Sequence, residues 1–311
     1  MVDLAWPDWW SEEAESSPSA RAELRFALAR RLGLDAKVLL EEDEPRFAWR
    51  AATFKHLSAT SKREREAMIS YGTSIARTVL AAVPQEGMPN NLTAQSLRER
   101  LLADARFVAL PDLLSYCWAI GIPTMSLKVF PIKSKRMCAM ATRVRNRYAI
   151  LLARESKFPA QLAYYVAHEL GHIALGHLSD NPAVIDADDP LRATDRDDPE
   201  EIAADRFALE LLAGDPDPHV LTDARKFTAA SLAKAAIQSA PDLRIEPGTL
   251  ALCFGYSTGR WNKTVAALRR IYPQDRSVGP YINQVAFSQI PDGALSHEAE
   301  QYLRGATGTS R

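Results

Sequence analysis

Residues 161–178 read QLAYYVAHELGHIALGHL and place three of the chain's six histidines within ten residues. Residues four apart on an α-helix are neighbours on one face, so His168 and His172 of HELGH can direct two imidazoles at one metal ion. Glu169 is turned about 100° from His168. Two neutral imidazoles suit zinc, and a carboxylate beside them that does not bind the metal can take a proton from water as it attacks a carbonyl. Val166, Leu170 and Ile173 fall roughly opposite the histidines, where a core would cover them, so a half-buried helix is expected. His177 stands nine residues beyond His168, about 180° round a regular helix, and is no ligand unless Gly176 ends the helix first.

A catalytic zinc takes three protein ligands and keeps one position open. The segment DDPEEIAADRFALELLAG, residues 197–214, offers the third. An Asp cap, Pro199 near the start and Gly214 at the end bound a helix over 199–213. Glu201 and Asp205 share a face of it, so Glu201 completes a His2Glu set while Asp205 orients a ligand histidine from behind. Its neighbour Glu200 is the rival ligand. It points about 100° away and lacks an acidic partner four residues on, and both glutamates also suit a first helical turn through the helix dipole.

With 311 residues the chain can build a large core, and a net charge of −1 with 25% charged residues gives no global signal for a polyanion partner. The opening MVDLAWPDWWSEE has neither a basic nor an apolar signal region, and no 18-residue apolar run occurs. A cytoplasmic protein without a membrane partner is expected. Cys117, Cys138 and Cys253 are odd in number and widely spaced, which suits reduced thiols rather than a disulfide framework.

The chain divides into a helical N-terminal region, 1–105, and an α+β region, 106–311, with helices at its C-terminal end. Helices are expected over 20–32, stopped by Gly33, over 64–83 and over 94–105. LARRLGLDAKVLL resembles the tail of a helix-turn-helix, but too little chain precedes it for the usual motif. A strand is expected over 125–130, then a hairpin in which KRMCAMATRV and YAILLA flank Arg145–Arg147. Residues 179–198, with seven aspartates, read as a long loop near the active site. Further on, TLALCFGYSTGRWNKTVAALRRIYP reads as two packed helices about a Gly-Tyr-Ser-Thr-Gly corner. The fold class is α+β and zincin-like: an HExxH helix with a small mixed or antiparallel sheet.

Period-two alternation puts Cys138, Met140, Thr142 and Val144 on one face of the first hairpin strand and Ala139, Ala141, Arg143 and Arg145 on the other. Lys128, Lys133, Lys135, Arg136, Arg143, Arg145 and Arg147 fall in twenty residues that contain no Asp or Glu. Such a block is either a solvated face or a contact for nucleic-acid phosphates.

HELGH followed by EEIAADRFALELLAG resembles the ImmA/IrrE family of zinc metallopeptidases, whose second motif runs roughly E-x-x-A-N/D-x-F-A-x-x-L-L. Glu201, Ala204, Asp205, Phe207, Ala208, Leu211 and Leu212 fit that pattern. The resemblance runs from about residue 110 to the C-terminus and departs at Ala213-Gly214-Asp215, where the family often has Met-Pro. It implies that His168, His172 and Glu201 bind zinc, that Glu169 is the general base, and that the substrate is a helix-turn-helix repressor cut to relieve repression. The N-terminal half and hairpin also resemble the CapP proteases of CBASS antiphage systems, which act on a CapH repressor and respond to single-stranded DNA. On that resemblance, Lys133, Lys135, Arg136, Arg143, Arg145 and Arg147 would hold the DNA strand. Cys138 is the candidate for an inhibitory thiolate on the zinc, since a thiolate is a better ligand than water, whereas Cys117 suits core packing. Tyr148, Tyr164 and Tyr165 are candidates for stabilising a tetrahedral intermediate. The competing expectation is a non-proteolytic regulator that binds repressor or DNA and uses zinc structurally.

Overall fold

The computed structural model describes residues 2–41, 43–48, 62–85, 87, 89, 91–131, 138–179, 183–186, 198–222 and 227–309. The N-terminal helices are α1 (Val2–Ala5), α2 (Glu12–Glu15), α3 (Pro18–Leu32), α4 (Ala36–Leu40), α5 (Lys62–Ala82), α6 (Ala94–Asp104) and α7 (Leu110–Ala119). Then follow β1 (Thr124–Ser126), β2 (Ala139–Val144), β3 (Arg147–Leu152), α8 (Pro159–Ala174), β4 (Ala183–Asp186) and α9 (Pro199–Ala213). The chain continues through α10 (Ala229–Leu243), α11 (Pro247–Thr258), α12 (Trp261–Ile271), α13 (Gly279–Gln289) and α14 (His297–Thr307). Among the described residues the fold is α+β, with a small mixed sheet of order β1-β3-β2-β4.

The sheet grows from the β2–β3 hairpin, whose register runs from Val144 opposite Arg147 to Ala139 opposite Leu152. Arg145 turns it at φ +58, in the left-handed region. β1 adds in parallel to β3, and β4 adds antiparallel to β2. The stretch around β4 was expected to be aperiodic. Its acidic composition hides Ala183 and Val184, which are both buried, and backbone pairing with β2 needs no hydrophobic run. β1 is shorter than expected because the chain leaves the sheet after Ser126, and the N–H groups of Lys128 and Val129 donate instead to Ala306 O in α14. Asn283 of α13 takes the place of a further strand beside β1. Its amide accepts from Ser126 N at 2.8 Å and donates to Ser126 O at 2.9 Å, which satisfies an otherwise open edge.

Each face of the sheet carries a helix. Ala139, Ala141, Ile150 and Leu152 share a core with Leu162, Val166, Leu170 and Ile173 of α8. The alternate residues Met140 and Leu151 pack with Met68, Ile69, Tyr71 and Ile75 of α5. Close approach of α5 depends on Gly72, where an added Cβ would lie 2.5 Å from Met140 Sδ. The α9 helix lies along α8, and α6 lies on α9. There, buried Arg98 donates to Leu211 O and Leu212 O at 3.0 and 2.8 Å and to Arg244 O at 2.8 Å. Two helices before residue 105 thus pack on elements after it, α5 on the sheet and α6 on α9. The helices α11 and α12 meet at Gly259 (φ +67), with Leu250, Leu252 and Leu268 buried, as expected for a packed pair. No helix among the described residues is long and apolar enough to cross a membrane.

Candidate metal centre

The helix that carries HELGH is buried on both sides, not one. The sheet covers Val166, Leu170 and Ile173, as the spacing requires. α9 covers the opposite, polar side, so His168, Glu169 and His172 are all 0% exposed. Gly171 permits the approach: a Cβ there would stand 3.2 Å from Ala204 O and from Cβ and Cδ1 of Phe207.

In the interface between the two helices, His168 Nε2 and His172 Nε2 are 3.0 Å apart. Asp198 caps α9 by accepting from Glu200 N at 2.9 Å, and this start directs Glu201 inward. Glu201 Oε2 lies 3.4 Å from His168 Nε2, and its Oε1 lies 3.4 Å from His172 Nε2. Ligand atoms of His168, His172 and Glu201 all fall within 4.8 Å of one another, so this buried group can hold a metal ion. Glu200, the rival, is not in the group. Burial alone would raise the Glu201 pKa, but hydrogen bonds and charge from His168 and then His172 outweigh it and hold the carboxyl well below its ordinary range. The group is thus an anion, as a metal ligand needs.

Asp205, one turn along α9, sits behind the first ligand. Its Oδ1 is 2.8 Å from His168 Nδ1 and accepts from Tyr164 OH at 2.5 Å. A proton drawn to Nδ1 by this carboxylate would leave the Nε2 lone pair for the ligand group. Tyr164 is therefore engaged with Asp205, one turn before His168 on the same helix. The phenol of Tyr165 accepts from Gln161 Nε2 at 2.7 Å in the core. Tyr148 is the one of the three candidate tyrosines that is only half buried, on the same face of β3 as Ile150 and Leu152.

His177 was placed by the sequence on the far side of a regular helix. In the structure α8 stops at Ala174, Gly176 adopts φ +79, and His177 returns to within 2.9 Å of His172, Nδ1 to Nδ1. The ring does not join the three ligands. The sequence signal was Gly176 itself, because glycine readily takes the left-handed conformation that ends a helix.

Cys138 is not brought to the ligand group. It precedes β2 with the parity of Met140 and Thr142, and these two face α5: Met140 through its core, and Thr142 through a 3.4 Å contact between its Oγ1 and that of Thr73. The helix α8 lies on the other face. Cys138 is buried with its sulfur 3.4 Å from Arg154 Nη1, and none of the three cysteines forms a disulfide.

Of the basic block, Lys133, Lys135 and Arg136 lie outside the described residues. Arg145 is exposed at the hairpin turn and Arg143 is half buried on β2. Arg147 has a structural position: its guanidinium donates to Leu80 O, to Val83 O at 2.7 Å and to Pro84 O at 2.9 Å, closing the end of α5. Lys128 pairs with Glu155 at 3.1 Å.

No protein-family model matches the chain, and no curated protein matches it.

Proposed function

We propose that the chain is a zinc-dependent endopeptidase, with His168, His172 and Glu201 as the zinc ligands and Glu169 as the general base. The observation that carries this reading is a buried two-histidine, one-carboxylate group with a further carboxylate next in sequence to the first histidine. Two nitrogens and one oxygen suit zinc better than magnesium or calcium, which prefer oxygen alone. Spacing agrees with that choice: atoms bound to a tetrahedral zinc at about 2.0–2.1 Å stand about 3.3 Å apart, against 3.0, 3.4 and 3.4 Å in this group. A structural zinc ordinarily fills four positions with Cys and His, a pattern unlike the three ligands here.

When bound, zinc supplies Lewis acidity that polarises a peptide carbonyl and eases loss of a proton from water. Glu169 takes that proton and returns it to the leaving amine. Glu201 and the two imidazoles hold their donor atoms in place. Asp205, itself held by Tyr164, keeps the His168 proton on Nδ1. The enclosed setting keeps bulk water from competing with these contacts.

The substrate we propose is a helix-turn-helix repressor of the CapH kind, with proteolysis triggered by single-stranded DNA, as the ImmA/IrrE-type motifs and the basic hairpin suggest. On this reading Arg143 on β2 and Arg145 at the hairpin turn would contact the strand backbone. The test is to incubate zinc-loaded protein with a helix-turn-helix repressor from the same operon, with and without single-stranded DNA. A discrete repressor fragment, absent with Glu169→Gln protein, is the expected result. Intact repressor in every arm, with zinc bound, would favour a regulator that binds repressor or DNA without cutting.

A further inference from the structure

We infer that His177 is a positioning residue for the metal, holding His172 through the nitrogen that faces away from the ligand group. The inference rests on the zinc reading above. It adds a partner for the second histidine that matches Asp205 behind the first.

The turn after α8 dictates the placement. Two hydrogen bonds close it, Gly176 N to Ile173 O at 3.2 Å and His177 N to His172 O at 3.0 Å. With Gly176 at φ +79, these make a Schellman turn, in which the residue after the left-handed glycine folds back over the residue five before it. An apolar pair commonly fills that contact. Here it is a pair of imidazoles, with ring centroids 5.0 Å apart and planes at 69°.

Tautomers follow from the chemistry of the ligand. His172 presents Nε2 to His168 and Glu201, so metal binding needs the Nε2 lone pair and leaves the proton on Nδ1. Nδ1–H then donates to His177 Nδ1, which accepts at 2.9 Å, and His177 carries its own proton on Nε2. Both ligand histidines are thereby fixed from behind, one by a buried carboxylate and one by a half-buried imidazole. A partner of this kind fixes ring orientation and raises ligand basicity, and its loss commonly weakens metal binding about 10–100-fold.

The test measures zinc dissociation constants for the full chain by competition with a chelating dye, in wild type, His177→Leu and His177→Asn. Leucine keeps bulk without an acceptor; asparagine places an amide oxygen near the lost Nδ1. The inference expects leucine to weaken zinc by about tenfold or more and asparagine to restore most of it. Equal affinity of wild type and His177→Leu would overturn the inference while leaving the zinc site intact. Asparagine as weak as leucine would reduce the contact to packing and also overturn it. If wild type binds no zinc, the reading beneath it fails. Imidazole 15N spectra of the zinc-loaded wild type give a check that needs no variant: His172 Nδ1 is expected to be protonated, and an unprotonated Nδ1 would contradict the inference.

Discussion

Replacing Arg98 with leucine should unlatch α6 from α9. The guanidinium donates to Leu211 O, Leu212 O and Arg244 O. Leu211 and Leu212 lie in the last turn of α9, where carbonyls have no amide of their own helix to accept from. Leucine fills the space and leaves those two carbonyls facing an apolar contact. A buried acceptor left without its donor costs about 1–3 kcal/mol, and bonds from a charged donor are each worth about 1.5–3 kcal/mol. Burial already lowers the Arg98 pKa, with the nearby Arg244 charge adding to it, so part of that gain is offset by the cost of desolvating the cation. A net loss of about 3–4 kcal/mol is expected. At about 2–4 °C per kcal/mol for chains of this order of size, the Tm of metal-free protein should fall by about 10 °C. Arg98→Lys should lie between, since one ammonium cannot span three carbonyls. Thermal unfolding followed by circular dichroism is the assay. A Tm within about 2 °C of wild type for Arg98→Leu would refute the reasoning, and with it the claim that the N-terminal helices are integral to the site's framework.

Asp205→Asn should weaken zinc by about 10–100-fold, read by chelator competition, because an amide no longer attracts the His168 proton as a carboxylate does. Gly171→Ala should separate stability from metal binding. Helix propensity gains about 1 kcal/mol, overpacking against α9 costs about 1–3 kcal/mol, and the shift of α9 moves Glu201; metal-free Tm should fall by no more than about 8 °C while zinc affinity falls, and unchanged affinity would count against the α8–α9 interface. Cys117 and Cys253, both fully buried, have thiol pKa values pushed up by desolvation to about 12. They should resist iodoacetamide at pH 8 until denaturant is added, as mass spectrometry would show. The sign for stability follows: a folded pKa of about 12 against 9.0 unfolded makes the native state bind the extra protons between those values. Stability from these two thiols is full below pH 9 and is lost as pH rises toward 12.

The part of the site legible in the sequence was the part set by spacing along a helix. His168, His172, Glu201 and Asp205 come together because residues four apart share a face, and Pro199 and Gly214 bounded α9 where it is found. What escaped depends on contacts between distant segments. That α9 covers the histidine side of α8 cannot be read from α8, so half burial was expected where burial is complete. β4 is held by pairing with β2, which an acidic composition conceals. Arg147 looked like part of a charged block, yet its role is fixed by the end of α5, more than sixty residues away. Alternation grouped Cys138 with Met140, and only the packed sheet reveals that the Met140 face meets α5 and not α8. His177 was nearer to hand, since Gly176 signalled the turn that returns it to His172.

On the proposed reading, two helices hold one catalytic ion through two imidazoles and one carboxylate. X-ray absorption at the zinc edge on stoichiometrically loaded protein tests it most directly. A shell of nitrogen and oxygen alone at about 2.0–2.1 Å, with imidazole scattering from two histidines, is the expected result. A sulfur neighbour at about 2.3 Å would place a cysteine on the ion and contradict it.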